Sequence, residues 1–337
     1  MKSKIEPLTL ELISPALEIH LSKALAKLGL SLQQSEKLAE SIVRLSDFYI
    51  QNPERETPWS ERWAQVAYLV YFHPLNMARN ILAIQRGHAV GFFDGLEHVL
   101  DFGAGLGSAS QALQAKTNLS RFNLIEPSQV CWNLLENQWR YVQEYQKNEV
   151  SHDPGKTLCV FSYALTELAS LPDWIFENEA LMILEPATSE DGRRLLQVRQ
   201  ALIASGFYIW APCTHQRDCP LLSQSKTDWC HDRAHMTAPE WFVSIEKHLP
   251  FRNNTITTSY LLARKKRPKE ILSQVRLVGD HLNEKGKSRQ MICRGPEREF
   301  LSWLHRHGPP PIYPRGELIE MPSVTVRGRE LRVDNSN

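Results

Sequence analysis

The sequence predicts an α/β fold: a mostly parallel sheet with crossover helices, preceded by a helical N-terminal lobe and followed by a small β-rich C-terminal extension. Three observations point there. Apolar residues recur at helical spacing as far as about residue 90. Beyond Gly95, short apolar runs alternate with amphipathic segments. After residue 263 the chain reads as short strands and turns around Pro309-Pro310-Pro311.

In the N-terminal part, Leu17, Leu21, Leu25 and Leu28 share one helical face, and Leu38, Ile42, Val43 and Phe48 share another. Gly29 ends the first helix, and Ser31 with Gln34 resembles a capping box for the second. Pro58-Trp59-Ser60-Glu61 opens a third helix, which Pro74 breaks or kinks. The sheet is then predicted from strands at 98–102, 122–125, 158–163, 181–184, 207–211 and 257–263, with helices at 108–116 and 193–205. A third strand is hard to find between Trp132 and Lys156, a stretch that reads mostly as one polar helix. These elements divide the chain into a helical lobe (1–94), an α/β domain (95–263) with a cysteine-rich insertion (211–235), and a basic β-rich extension (264–337).

With 337 residues and 42% hydrophobic content, the chain suffices for one large core or two smaller ones. The longest apolar stretches fall far short of the roughly 20 residues of a membrane span. No transmembrane helix is expected, and with Glu6 and Pro7 near its start the N-terminus does not read as a targeting helix, so the expected location is cytoplasmic. The net charge of +1 hides an asymmetry: from Arg264 onward 16 Lys/Arg stand against 9 Asp/Glu, a balance of +7 beside −6 for the remainder. That region, beginning with Arg264, Lys265, Lys266 and Arg267, is a candidate surface for RNA phosphates; an ordinary solvated face is the other reading.

The chemistry-bearing motif is Asp101-Phe102-Gly103-Ala104-Gly105-Leu106-Gly107, between a strand and a helix. Glycines at alternate positions permit a tight turn and bring backbone N–H groups close to a ligand at the helix N-terminus. The dinucleotide spacing G-x-G-x-x-G is not matched, which favours a cofactor without a pyrophosphate. Some twenty residues on, the second strand ends in Glu126, where a carboxylate can accept from both ribose hydroxyls. A tight turn with no ligand is the alternative. Loop, acid and element order resemble class I, S-adenosylmethionine-dependent methyltransferases. That resemblance implies Gly103, Gly105 and Gly107 under the methionine portion of S-adenosylmethionine, Asp101 near its amino group, and Glu126 on the ribose. The Asn/Asp-Pro-Pro-aromatic motif of amino-directed nucleic-acid methyltransferases is missing; its place reads Phe161-Ser162-Tyr163-Ala164-Leu165-Thr166-Glu167-Leu168. Tyr163 and Glu167 there serve either a pocket or local packing and capping.

Of six cysteines, Cys213, Cys219 and Cys230 cluster in a loop with His215 and His231, and Cys293 lies in the basic region. In a reducing compartment a metal is the natural reason to gather thiols. Gaps of five and ten residues between consecutive cysteines do not match zinc ribbons, whereas iron–sulfur clusters take four cysteines at irregular spacing. Zinc with His215, His231 or His235 as fourth ligand is the rival reading, and Cys131 and Cys159 on apolar segments read as packing residues.

From the glycine loop through Glu126-Pro127-Ser128, Leu184-Glu185-Pro186, Ala211-Pro212-Cys213, Asp218-Cys219-Pro220-Leu221 and Asp228-Trp229-Cys230-His231 to Ser259-Tyr260, the chain resembles the mitochondrial small-ribosomal-subunit methyltransferase-like proteins and their bacterial relatives. The resemblance covers roughly residues 60–300. It implies association with small-subunit ribosomal RNA during ribosome assembly, and a [4Fe–4S] cluster on Cys213, Cys219, Cys230 and Cys293. The chain departs from that pattern at Lys156-Thr157, where an acidic start is usual. Two functions follow as expectations: an rRNA methyltransferase, or a non-catalytic rRNA-binding assembly factor with a degenerate methyltransferase fold. A zinc-stabilised small-molecule methyltransferase is disfavoured by the basic C-terminal region.

Overall fold

The computed structural model describes residues 9–52, 55–135, 140–144, 152–165, 168, 171–251, 255–269 and 274–334. Among these residues the first sheet has nine strands: β1 (Thr9–Glu11), β2 (His98–Phe102), β3 (Arg121–Ile125), β4 (Arg140–Val142), β5 (Thr157–Ser162), β6 (Ala180–Glu185), β7 (Tyr208–Ala211), β8 (Asp232–Thr237) and β9 (Thr255–Arg264). They lie in the order β1-β8-β9-β6-β5-β2-β3-β4, and β7 pairs with the far half of β9. The run β4-β3-β2-β5-β6 is parallel, while β9 is antiparallel to β6, with Ala180 opposite Arg264 and Glu185 opposite Ser259. This is the class I methyltransferase arrangement: five parallel strands with a reversal between β2 and β5, and an antiparallel strand inserted beyond β6.

Strand residues alternate between two cores because successive side chains point to opposite faces. Val99, Leu158, Val160, Met182 and Leu184 pack with Ala83 and Ile84 of α4 (His73–Ala89) and Ala109, Ala112 and Leu113 of α5 (Ser108–Lys116). Leu100, Cys159, Phe161, Leu181 and Ile183 face the other way, onto Leu195 and Leu202 of α7 (Ser189–Ala204). Burial of both faces explains why these strands read as continuous apolar runs. The predicted elements are present, and the strand sought between Trp132 and Lys156 is β4, three residues long and preceded by the short helix α6 (Gln129–Leu134). At that length it offers no periodicity to read; of the polar helix expected across most of 132–156, residues 136–139 and 145–151 lie outside the described residues, and the described part holds α6 and β4.

The N-terminal lobe holds α1 (Pro15–Lys27), α2 (Ser35–Gln51) and α3 (Arg62–Ala67). Gly29, at φ +69°, closes α1 as expected. The expected capping box is only half formed: the Ser31 N–H donates to Gln34 Oε1 at 2.8 Å, and α2 begins one residue after Gln34. Pro74 does not break the third helix. The chain passes from α3 into α4 through a π-helical turn, Tyr68–Phe72, in which the His73 N–H reaches back to the Tyr68 carbonyl. That wider turn absorbs the hydrogen bond that proline cannot donate. The lobe core runs on without interruption into Leu106 of the glycine loop, Cys131 and Leu134 of α6, and Phe242 and Ile245 of α9 (Glu240–Glu246).

After β9 a second sheet follows: β10 (Gln274–Leu277), β11 (Leu282–Glu284), β12 (Lys287–Cys293), β13 (Glu299–Leu304), β14 (Leu318–Glu320), β15 (Val324–Arg327) and β16 (Glu330–Val333). It encloses a small core of Val275, Leu277, Ile292, Leu301, Ile319 and Leu331. A buried ion network binds the two sheets: Asp232 of β8 accepts from Arg276 of β10 and, at 3.0 Å, from Arg86 of α4, which also holds Glu317 at 2.8 Å. No described helix is long and apolar enough to cross a membrane.

Candidate functional site

A cavity of about 860 Å³ opens at the carboxyl ends of four parallel strands, touching Phe102 at the end of β2, Glu126 after β3, Ser162 and Tyr163 at the end of β5, and Pro186 after β6. Ligands of doubly wound sheets bind there, where the strand order reverses. Gly103 and Gly105 form its floor, and Trp59, Tyr68 and Phe72 close it from the lobe. The glycines of the loop are all left-handed, with φ of +63° at Gly103, +52° at Gly105 and +74° at Gly107. A Cβ at Gly103 would lie 2.7 Å from the Cβ of Ala164, so the loop can approach the end of β5 only without a side chain. Trp59 and Tyr68, whose ring centroids are 4.8 Å apart, cover Gly105.

Glu126 is buried, and both its oxygens are engaged: Oε2 accepts from the Gly105 N–H at 2.8 Å and Oε1 from the Ser128 N–H at 2.9 Å. Burial raises its pKa, and the Ser128 and Gly105 N–H groups oppose that rise. Glu126 therefore shapes the glycine loop as well as lining the cavity, leaving lone pairs for a further donor. Asp101 is fully buried with Ser110 donating to its Oδ2 at 2.7 Å, and burial lifts its pKa to about 7. Neither Asp101 nor Gly107 lines the cavity. Asp101 anchors the first turn of α5, so any influence on a ligand's amino group acts through the loop above it.

On the acceptor side, Tyr163 has φ +64° and is the only non-glycine residue with positive φ among the described residues. A bulky residue in that region is strained, and such strain concentrates at functional sites. The Arg79 guanidinium lies 5.7 Å from its ring centroid, and Arg79 is held by Asn76 Oδ1 at 2.9 Å; all three line the cavity. Glu167, the other residue expected to serve a pocket, lies outside the described residues.

The second cluster is the cysteine centre. Cys219 and Cys293 share a small buried core into which Cys230 also packs, and Cys213, on the loop after β7, lies within electrostatic reach of the other three. All six cysteines are free thiols. Burial pushes Cys230 up to about 12 and lifts Cys219 and Cys293 as well, the neighbouring sulfurs adding to each. As placed, no group of three or more His, Cys, Asp or Glu among the described residues is arranged to hold an ion. Of the histidines weighed as zinc ligands, His215 Nε2 is 3.4 Å from Cys293 Sγ, the His231 ring packs on Trp229, and His235 sits in β8 in register with Thr9 and Thr255. Cys131 and Cys159 are buried packing residues, as expected.

The family model for the mitochondrial small ribosomal subunit protein Rsm22 matches residues 93–309, nearly two thirds of the chain. The chain belongs to the Rsm22 family. The matched stretch holds the glycine loop, Glu126 and all four clustered cysteines of this Rsm22-family member. Its fold is similar to solved methyltransferases at low identity. A SAM-dependent methyltransferase from Archaeoglobus fulgidus is 15% identical, with 55% of this chain and 94% of that one covered and a TM-score of 0.31. A precorrin-6y C5,15-methyltransferase from Geobacter metallireducens is 12% identical (53% and 86% covered, TM-score 0.31). TrmK of M. capricolum, solved with S-adenosyl-homocysteine, is 8% identical (57% and 72% covered, TM-score 0.31). No curated protein matches the sequence.

Sequence reasoning missed the arginines that hold the cysteine loop of this Rsm22-family chain. Arg199, fully buried on α7, donates to Cys213 Sγ at 3.1 Å and to the carbonyls of His215 and Arg217 at 2.9 Å. Arg193 donates to the carbonyls of Leu221 and Asp228, and Arg315 to those of Trp229 and His231, at 2.9 to 3.1 Å. An irregular loop must find donors for its buried carbonyls, and these three side chains supply them. The signal was available: Leu195, Leu196, Arg199 and Leu202 fall on one stripe of α7, so Arg199 occupies an apolar-face position. The phosphate-facing role expected of Arg264 fails, because it is buried, paired with Glu179 at 2.9 Å and bonded to the carbonyls of Phe92 and Asp94. It is the last residue of β9, inside the sheet, whereas Lys265, Lys266 and Arg267 are exposed.

Proposed function

We propose that this chain is an S-adenosylmethionine-dependent methyltransferase acting on small-subunit ribosomal RNA in the cytoplasm during ribosome assembly. The observation that carries the proposal is the cavity at the carboxyl ends of β2, β3, β5 and β6, floored by Gly103 and Gly105 and edged by Glu126. In this reading the cofactor's methionine portion lies over the glycines and its ribose against Glu126, and the space beside Tyr163, Arg79 and Asn76 receives the acceptor base. Tyr163 would stack on that base, and Arg79 would fix the ring of Tyr163. Membership of a small-ribosomal-subunit family supports the RNA partner. The rival reading, a non-catalytic rRNA-binding assembly factor, is favoured by one observation: both oxygens of Glu126 already serve the loop's own backbone.

Titration calorimetry with S-adenosylmethionine tests the proposal. Glu126→Ala removes a charge-assisted acceptor, a loss of roughly 1.5 to 3 kcal/mol in binding. Absence of binding by the unmodified protein would discard the enzyme and leave the assembly factor.

We further propose that Cys213, Cys219, Cys230 and Cys293 hold a [4Fe–4S] cluster. The donor set fits in kind: three thiols meet at one small core, Cys213 lies within electrostatic reach of all three, and the positive charge of Arg199 stands beside them to balance an anionic cluster. The cluster would be structural, crosslinking the loop after β7 and the approach to β8 to the end of β12. Protein purified without air should be brown and contain iron and sulfide in comparable amounts, and Cys293→Ser should lose both. Colourless protein holding zinc undisturbed by Cys293→Ser would assign the site to zinc.

A further inference from the structure

We propose that a second cavity, of about 450 Å³ between β7 and the C-terminal sheet, binds one nucleotide of single-stranded RNA. The proposal rests on the RNA-binding reading above; none of the cavity's lining residues belongs to the cofactor cavity, and of the cysteines proposed to hold the cluster only Cys213 reaches its wall. Its wall has two halves of different chemistry. One is apolar, with Trp210, Pro212, Leu318 and Met321. The other is cationic, and no Asp or Glu is among the described residues that line it.

Some of that positive charge is balanced from behind. Arg86 and Arg276 are held by Asp232 and Glu317, and Arg294 by Glu299 at 2.7 Å. Arg217, Arg267 and Lys269 add exposed charge at the wall. Deeper in, Arg276 is buried, and although its Nη2 donates to Asp232 and Tyr260, its Nε–H has no partner. A buried N–H without an acceptor is rare and costly, and it marks a place for an external one. Cations beside an apolar wall suit a ligand with an anionic group and an aromatic face. A nucleotide has both: the phosphate sits with Arg217, Arg267 and Lys269, and the base lies against Trp210 and Met321. The strand must be single, because a base enters a cavity only when unstacked from its neighbours.

The same chemistry would suit a free nucleotide, so the test separates the two sources. Binding of a fluorescein-labelled single-stranded RNA of about 12 nucleotides is followed by anisotropy across a salt series, with AMP as competitor. The variant R217A/R267A/K269A changes exposed side chains, and R327A/R329A, outside the cavity, is the control. Losing about three phosphate-facing cations should lower the slope of log affinity against log salt by about 2. A fourfold rise in salt then costs the unmodified protein roughly twentyfold more affinity than it costs the triple variant. An unchanged affinity and slope in the triple variant would overturn the site while leaving RNA binding elsewhere intact. Displacement of the RNA by AMP at equal concentration would reassign the cavity to free nucleotides and overturn the RNA assignment. If the unmodified protein binds no RNA, the proposed function fails separately, and the absence of AMP binding would then discard the cavity as a nucleotide site.

Discussion

Asp101 gives the sharpest quantitative test of the structure beneath the glycine loop. Its carboxyl is buried, accepts one hydrogen bond from Ser110, and is held protonated up to about pH 7, mainly by burial. In the unfolded chain the same group ionises near pH 3.8. Between those values the folded state keeps a proton that the unfolded state has lost, so this group's contribution to stability is fully present below about pH 4 and falls as the pH rises to about 7. A displacement of about three pH units is worth at most about 4 kcal/mol. Asp101→Asn keeps an acceptor for Ser110 and cannot ionise. It should therefore match or trail the unmodified protein at pH 4 and exceed it at pH 8 by up to about 4 kcal/mol. The histidines pull the other way: burial lowers His73, His215 and His231 to about 4, so each destabilises the fold as the pH falls below about 6.5. Because both proteins share those groups, the difference between their denaturant-unfolding curves isolates Asp101. A difference that stays constant from pH 4 to pH 8 would refute the reasoning and place an ionised carboxylate under the loop.

Two further substitutions test the packing. Asp232→Ala strands the buried guanidinium of Arg276 and half of the pairing of Arg86, and should cost about 3 to 5 kcal/mol, whereas Arg233→Ala breaks an exposed pair with Asp280 and should cost under about 1 kcal/mol; equal losses in thermal unfolding would contradict the burial argument. Gly103→Ala places a Cβ 2.7 Å from Ala164 in a left-handed turn and should cost about 1 to 3 kcal/mol while weakening S-adenosylmethionine binding; an unchanged melting temperature would mean that the end of β5 yields freely.

Much of the α/β core was legible because burial on both faces leaves a strong mark on sequence. The runs at β2, β3, β5 and β6 are mostly apolar, and α5 was bounded correctly by Gly107 on one side and the polar Lys116-Thr117 on the other. β4 escaped because three residues carry no period, and β1 because its pairing with β8 joins residues more than 200 apart in the chain. The candidate cofactor residues were visible as a motif, but motif spacing cannot tell which carboxylate faces a cavity. Glu126 does and Asp101 does not. The left-handed Tyr163 was also out of reach, since nothing local distinguishes a tyrosine forced into that conformation from one in a strand end. Charge counting cannot see burial: the region after residue 263 is basic, yet Arg264 and Arg276 are paired inside the protein with Glu179 and Asp232.

The gathering of four distant cysteines has a cause in the fold that needs no metal. Cys293 ends β12, and its register partner on β10 is Arg276. Arg276 in turn is fixed to Asp232, two residues beyond Cys230 in the chain, and Tyr260 bridges them from β9. One buried ion pair thus brings Cys230 and Cys293 to the same place by geometry alone. Arg199 performs the matching task on the other side, binding Cys213 directly and the carbonyls that follow it, while α8 (Pro220–Ser223), with Cys219 at its N-cap, seats Leu221 in the same small core as Cys293. Both arginines are cations placed against thiols that burial otherwise keeps protonated, and both are bound so firmly to carboxylate or carbonyl oxygens that neither can swing away. Positive charge fixed beside such sulfurs lowers the cost of making them thiolates, which is the form a metal centre requires. The two arginines thus hold the four cysteines between sheets that are already docked, with positive charge fixed beside the sulfurs.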